Sequence, residues 1–139
     1  MRKQHESPED IIAERAALDR ACKVWKCTAE KLPIKYELDY LLLREKRGVA
    51  WLEIKCRTNA RLAYPTYMIA LSKIMAARRL FDASQLPSFL LIQWSDVCGY
   101  IRNDSLLDFE IAFDGRTDRG DPDDIEPVAL IPLGEFTLL

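Results

Sequence analysis

A chain of 139 residues that is 49% hydrophobic can close one real core and is too short for two ordinary domains, so a single domain over residues 1–139 is expected. Its single histidine, His5, and four cysteines with no CxxC pairing exclude Ser-His-Asp and Cys-His catalysis, His-ligated zinc and a disulfide framework, which leaves carboxylates, lysine and a hard cation for any catalysis. The net charge of −2 hides a division: residues 1–79 hold 17 Lys and Arg against 10 Asp and Glu, residues 80–139 only 3 against 12, so a polyanion would be drawn to the first part and repelled by the second.

No apolar run approaches the roughly 18 to 20 residues of a membrane span, and no apolar signal region follows "MRKQHESPED". A soluble cytoplasmic protein with no membrane partner is expected. Residues 1–7 read as a flexible tail that contains His5. Cys22, Cys27, Cys56 and Cys98 sit in apolar segments and read as reduced core thiols.

Pro8 to about Ala29 reads as a helix, with Ser7 as N-cap, Pro8 at the first position and Glu9 and Asp10 in the first turn. Ile11, Leu18, Ala21 and Trp25 form its apolar stripe. Glu14 falls inside that stripe. It is either snorkelling at the edge or aimed at something that wants negative charge.

After Pro33 the pattern changes to a hairpin: Lys35 to Leu43, a turn "REKRG" in which Gly48 takes a positive φ, then Val49 to Cys56. A turn centred on Lys46 sets Leu43 opposite Val49, Leu41 opposite Trp51, Asp39 opposite Glu53 and Glu37 opposite Lys55, all on one face. The other face is apolar throughout. Two carboxylates about 5 Å apart repel by roughly 3 kcal/mol at an effective dielectric near 20. The hairpin therefore needs a counter-charge between Asp39 and Glu53. Either a divalent cation supplies it together with Lys55, or the strand end is exposed with a Glu37–Lys55 cross-strand pair.

Arg57, Thr58, Asn59 and Arg61 then form a basic loop, and Tyr64 and Tyr67 either stack on a base or pack. Pro65 to about Ala83 reads as a second helix with Tyr67, Leu71, Ile74 and Phe81 as its stripe. Lys73, on a neighbouring stripe with Ala70, Ala76 and Ala77, either reaches a phosphate or lies solvated. Ser88–Trp94 and Val97–Arg102 read as a second hairpin about Ser95-Asp96, its Phe89–Ile92 run covered on both faces. Leu106–Phe113 alternates like a strand, Asp114–Asp124 reads as a solvated acidic loop, and "VALIPLGEFTLL" as an added strand or a partner surface.

Asp39, a gap of 13 residues, then Glu53-Ile54-Lys55 resembles the motif of the PD-(D/E)XK nuclease superfamily: an acidic residue on one strand and Glu/Asp-x-Lys on the next, here with Glu14 on a preceding helix. The resemblance covers Pro8 to Asn103, and it departs from the motif in that Leu38, not proline, precedes Asp39. It implies an α/β (α+β) restriction-endonuclease-like core over residues 8–103, a mixed central sheet flanked by helices in the order helix-strand-strand-helix-strand-strand. Residues 104–139 would form an acidic C-terminal β extension. It further implies a metal-dependent deoxyribonuclease. Asp39, Glu53, the Ile54 carbonyl and Glu14 would hold Mg²⁺ or Mn²⁺, and Lys55 would orient or deprotonate the attacking water. Arg57, Asn59, Arg61 and Lys73 would meet the DNA, whether single-stranded, duplex or branched, and the chain would act alone or as a homodimer. A stand-alone gene product of a phage or mobile element is expected. The alternative is a non-catalytic nucleic-acid- or protein-binding module on the same fold, its acidic cluster kept for stability.

Overall fold

The computed structural model describes residues 7–33, 38–105, 109–115 and 125–139. His5, the first part of the expected hairpin strand with Glu37 and its pairing to Lys55, the start of the Leu106–Phe113 strand and most of the Asp114–Asp124 loop lie outside the described residues.

Helix α1, Pro8–Trp25, opens on a capping box: Ser7 Oγ accepts from the Asp10 amide and Asp10 Oδ2 accepts from the Ser7 amide, both at 3.1 Å. It stops short of the expected Ala29. Lys26 turns left-handed at φ 55, and Arg44 donates to the carbonyls of Trp25 (2.8 Å) and Lys26 (3.3 Å), which have no partner within the helix. Thr28–Lys31 is then free to form strand β1. The buried stripe is Ala17, Leu18 and Ala21 rather than one beginning at Ile11, which is exposed; the two alanines let the helix lie close on the sheet.

Strands β2, Tyr40–Arg44, and β3, Arg47–Cys56, make the expected hairpin, and Tyr40↔Leu52, Leu41↔Trp51 and Leu42↔Ala50 pair in the expected register. Nearer the turn the register slips at a bulge, so that Leu43 pairs with Gly48 and not Val49. The turn itself is the two residues Glu45 and Lys46, at φ 52 and 65, a type I′ geometry whose twist matches that of the strands. Gly48 is therefore not the turn's positive-φ residue. It lies within β3, where a Cβ would come 3.3 Å from Leu41 Cδ1 and 3.6 Å from Leu86 Cδ1.

The segment after Pro65 begins as strand β4, Thr66–Ala70, and becomes helix α2 only over Leu71–Ser84. Tyr67 and Ile69 alternate inward while Met68 faces out, and β4 pairs with β8, Ile125–Pro132, through Tyr67↔Ile131 and Ile69↔Ala129; that pairing outweighs the helical spacing of the same apolar residues. β5, Ser88–Gln93, and β6, Cys98–Arg102, form the second hairpin as expected. β7, Glu110–Gly115, completes a three-stranded sheet in the order β4-β8-β7, and β9, Thr137–Leu138, adds to β6.

The main sheet runs β1-β2-β3-β5-β6-β9 and is antiparallel except for β3 and β5, which are parallel and joined by the crossover through β4 and α2. α1 covers one face, over Tyr40, Leu42, Ala50, Leu52, Ile54 and Leu91. α2 and the small sheet cover the other, in a second core that includes Ile74, Leu90, Ile92, Trp94, Ile101, Ile131 and Phe136. This is the α+β architecture, with a mixed central sheet flanked by helices, that the resemblance implies. The cysteines are free thiols; burial raises the pKa of Cys56 and Cys98 and takes that of Cys22 up to about 12, which disfavours the thiolate. Among the described residues no helix is long and apolar enough to cross a membrane.

Glutamate and lysine at φ values of 52 and 65 hold the hairpin turn against their own backbone preference. Replacing Glu45 with Asn and Lys46 with Gly together should raise stability by about 1 kcal/mol. Urea denaturation tests this, and a lower midpoint would argue against a type I′ turn.

Candidate active site

The site begins where β2 leaves β3. The strand ladder ends at Tyr40↔Leu52, and just beyond it the Asp39 amide donates to the Leu52 carbonyl at 3.0 Å. The next β3 amide on that side, Ile54, is taken by the Asp39 side chain, with Oδ2 accepting at 2.7 Å. The carboxylate thus replaces a strand partner for a backbone donor that would otherwise be orphaned. Strand geometry turns the Ile54 carbonyl toward the same side as its amide.

Glu53 points to the opposite face from Leu52 and Ile54. Trp51, two residues earlier on that face, donates to Ser84 Oγ at the end of α2 at 3.0 Å, so Glu53 lies beneath α2. It is 1% exposed. Lys55 Nζ stands 3.4 Å and Lys73 Nζ 3.5 Å from its Oε1, while Oε2 is buried with no hydrogen-bond partner. Burial first, and then the negative charge of Asp39, push the Glu53 carboxyl up to about 7; Lys55 and Lys73 pull the other way. Lys73 is therefore not a solvated helix lysine, because α2 delivers it to the same oxygen that Lys55 reaches from the strand.

Glu14 enters from α1 on the other side of Asp39. Its Oε2 accepts from the Tyr40 hydroxyl at 2.7 Å and stands 3.4 Å from Lys31 Nζ, which is 3.7 Å from Asp39 Oδ1. Burial and the Glu14 contact raise the Tyr40 pKa, so the phenol remains a proton donor at neutral pH. The structure thus brings Glu53, Lys55 and Lys73 together, couples Asp39 to Glu53 electrostatically, and joins Glu14 to Asp39 through Lys31. Among the described residues no three acidic, histidine or cysteine side chains are placed to hold one ion. The hard oxygens of Asp39 and Glu53, with Oε2 of Glu53 lacking any partner, fit a divalent cation such as Mg²⁺ or Mn²⁺.

Lys31 and Tyr40 escape a reading of the sequence. Lys31 lies on a strand whose first residues read as the end of α1, and Tyr40 reads only as part of an apolar face. Of the loop residues, Arg57 is exposed yet donates to the Tyr67 hydroxyl (2.8 Å) and to the Cys56 carbonyl (3.1 Å). Asn59 donates to the Ala60 carbonyl at 2.9 Å, and its own carbonyl accepts from the Ser95 amide at 3.1 Å. Arg61 donates to the Leu133 carbonyl at 3.0 Å, and its amide to Asp96 at 2.9 Å. Tyr67 is buried edge-to-face against Trp94 and Phe136, which makes it a packing residue rather than a stacking platform; Tyr64 is exposed.

A family model described as "Phage putative PDDEXK endonuclease" matches residues 1–139. No curated protein matches the chain.

The Glu53 carboxyl, raised to about 7 from an ordinary 4.5, keeps a proton in the folded protein that the unfolded chain releases between those values. The stability it contributes is fully present below about pH 4.5 and is lost as pH rises through 7, a change of up to about 3 kcal/mol. Metal-free protein should therefore melt at lower temperature at pH 8 than at pH 5, and Glu53→Gln should flatten that slope. Equal slopes in the two proteins would show that Glu53 titrates normally.

Proposed function

The chain belongs to this phage PDDEXK endonuclease family, and we propose that it is a metal-dependent nuclease that hydrolyses phosphodiester bonds in DNA. The observation that carries the reading is Glu53: a carboxylate sealed inside the protein, approached by two ammonium groups, and still left with one unpartnered oxygen. An unpaired buried oxygen is costly unless a ligand completes it.

In this reading Asp39, Glu53 and the Ile54 carbonyl hold Mg²⁺ or Mn²⁺, with Glu14 joining directly or through water. When bound, the cation polarises the phosphate and offsets the charge that builds on it during displacement. Asp39 is held for that role by its bond to the Ile54 amide, which fixes the carboxylate at the strand edge. Lys55, partly exposed with its Nζ at Glu53, orients the attacking water as an ammonium, or takes its proton once it has itself become the neutral amine. Lys73, on the same oxygen from α2, would meet a non-bridging phosphate oxygen. Arg57, an exposed residue whose guanidinium donates to the Tyr67 hydroxyl, stands in the loop after β3, which Asn59 and Arg61 shape. A 5′-phosphate product follows from the family resemblance.

The test is cleavage of labelled single-stranded, duplex and four-way-junction DNA, and of RNA, with Mg²⁺, with Mn²⁺ and with chelator. Cleavage should need the divalent ion. Lys55→Ala should lower it by on the order of 10²- to 10⁴-fold while leaving Mn²⁺ and DNA binding in place. Asp39→Asn keeps an acceptor for the Ile54 amide but should weaken Mn²⁺ binding as well as cleavage, because it removes a charged ligand. No cleavage of any substrate, together with no Mn²⁺-induced rise in melting temperature, would favour a non-catalytic binding module on the same fold.

A further inference from the structure

The carboxylates of Glu14 and Asp39 are joined by a cation that the chain supplies itself. Lys31 reaches from β1 to within 3.4 Å of Glu14 Oε2 and 3.7 Å of Asp39 Oδ1. Its Nζ lies 4.8 Å from the centroid of the Tyr40 ring, and Tyr40 is both its register partner across the β1–β2 ladder and the hydroxyl donor to the same Glu14 oxygen. The partners arrive from α1 and from the adjacent residues Asp39 and Tyr40 where β2 begins, while Lys31 itself comes from the edge strand β1, so the ammonium sits where separate elements meet rather than along one helix face. The carboxylates are mostly enclosed, at 16% and 22% exposed, whereas Lys31 is 49% exposed and has open solvent to retreat into.

We propose that Lys31 is a positioning residue that stands in for the divalent cation: in the metal-free protein its ammonium holds Glu14 and Asp39 together and competes with the metal for Asp39. The inference rests on the nuclease reading only in assigning Asp39 to the cation. An ammonium and a divalent cation cannot both crowd one carboxylate without like-charge repulsion, so arrival of the metal drives Lys31 outward. Lysine suits the task. Its compact charge rides on a flexible stem, and it lacks the fixed two-pronged geometry by which arginine would clamp a carboxylate. The arrangement also accounts for Glu14 standing with Lys31 and Tyr40 rather than with Glu53: with the ammonium gone, Glu14 keeps the Tyr40 hydroxyl and can turn its other oxygen to the cation or to a water beside it.

The experiment is Mn²⁺ titration of the full chain by calorimetry, without nucleic acid, beside melting curves with and without Mn²⁺. Lys31→Met removes the charge and keeps the apolar stem over Tyr40; it should bind Mn²⁺ roughly three- to tenfold more tightly than the wild type. It should also melt lower without metal, because Glu14 and Asp39 lose their shared counter-charge, and show a larger metal-induced rise. Lys31→Gln, with a neutral polar tip, should behave like Lys31→Met. Lys31→Arg, which keeps the charge and can clamp the carboxylate, should bind Mn²⁺ no more tightly than the wild type, which separates loss of charge from a merely structural loss of side-chain packing. If the wild type binds Mn²⁺ and Lys31→Met and Lys31→Gln bind it equally or more weakly, the competition does not exist and Lys31 is only a structural counter-ion. If neither the wild type nor any variant binds Mn²⁺, the metal-dependent reading of the site falls, and this inference falls with it.

Discussion

The hydrogen bond from the Ile54 amide to Asp39 Oδ2, at 2.7 Å, is the constraint on which the site depends. A central strand can part from its neighbour only if the backbone donors it exposes find other partners. Here β2 ends its pairing at Tyr40, and the side chain of the preceding residue takes over the amide that follows Leu52 in the ladder. A short carboxylate can do this because it reaches a backbone donor from one residue beyond the ladder, and its second oxygen is left pointing toward Lys31. The structural demand of opening the sheet and the chemical demand of fixing a carboxylate at the opening are met by one side chain.

Glu53 is placed by a different logic. β3 and β5 run parallel, and parallel neighbours require a crossover; this one passes through β4 and α2 and lays the helix over the face on which Trp51, Glu53 and Lys55 point. Burial of Glu53 and delivery of Lys73 are therefore one consequence of the topology. Two ammonium groups within 3.5 Å would by themselves lower a carboxyl pKa, yet the Glu53 value is raised, so dehydration and the Asp39 charge together outweigh them. Such a carboxylate is an economical ligand for a stronger positive charge, because the protein has already removed the water that the ion would have to displace.

How much of this was legible in the sequence follows from which interactions are local. The hairpin register from Tyr40 to Leu42 could be read because alternation pins it: slipping one residue would turn Leu52 and Ile54 away from α1. The bulge at Leu42/Leu43 could not, since it is set by a two-residue turn of Glu45 and Lys46, neither a common left-handed residue. β1 was hidden because Thr28–Lys31 has no apolar alternation and is a strand only through its pairing with β2. β4 was hidden for the opposite reason. Tyr67, Leu71 and Ile74 do fall at helical spacing, and the competing period of two in Tyr67 and Ile69 is decided by β8, sixty residues further on. The acidic residues and Lys55 stood out because their charges violate a core pattern. Lys31 and Tyr40 violate nothing, and only three-dimensional pairing brings them to Glu14.

The C-terminal segment bears on the site although none of its described residues contributes a group to the Glu53 cluster. Arg61 is spent on the Leu133 carbonyl and Arg57 on the Tyr67 hydroxyl, so the loop after β3 is fastened to β4 and to the segment that follows β8 instead of projecting freely. Phe136 and Ile131 fill the core beneath that loop together with Trp94 and Tyr67. Residues 80–139 are strongly acidic, yet among the described residues the basic loop of the first half is tied to them through the Leu133 carbonyl, the Ser95 amide and, for the Arg61 amide alone, the Asp96 carboxylate. A fastening of this kind leaves the arginines their positive charge. Two arginines paired with acidic partners would have theirs offset.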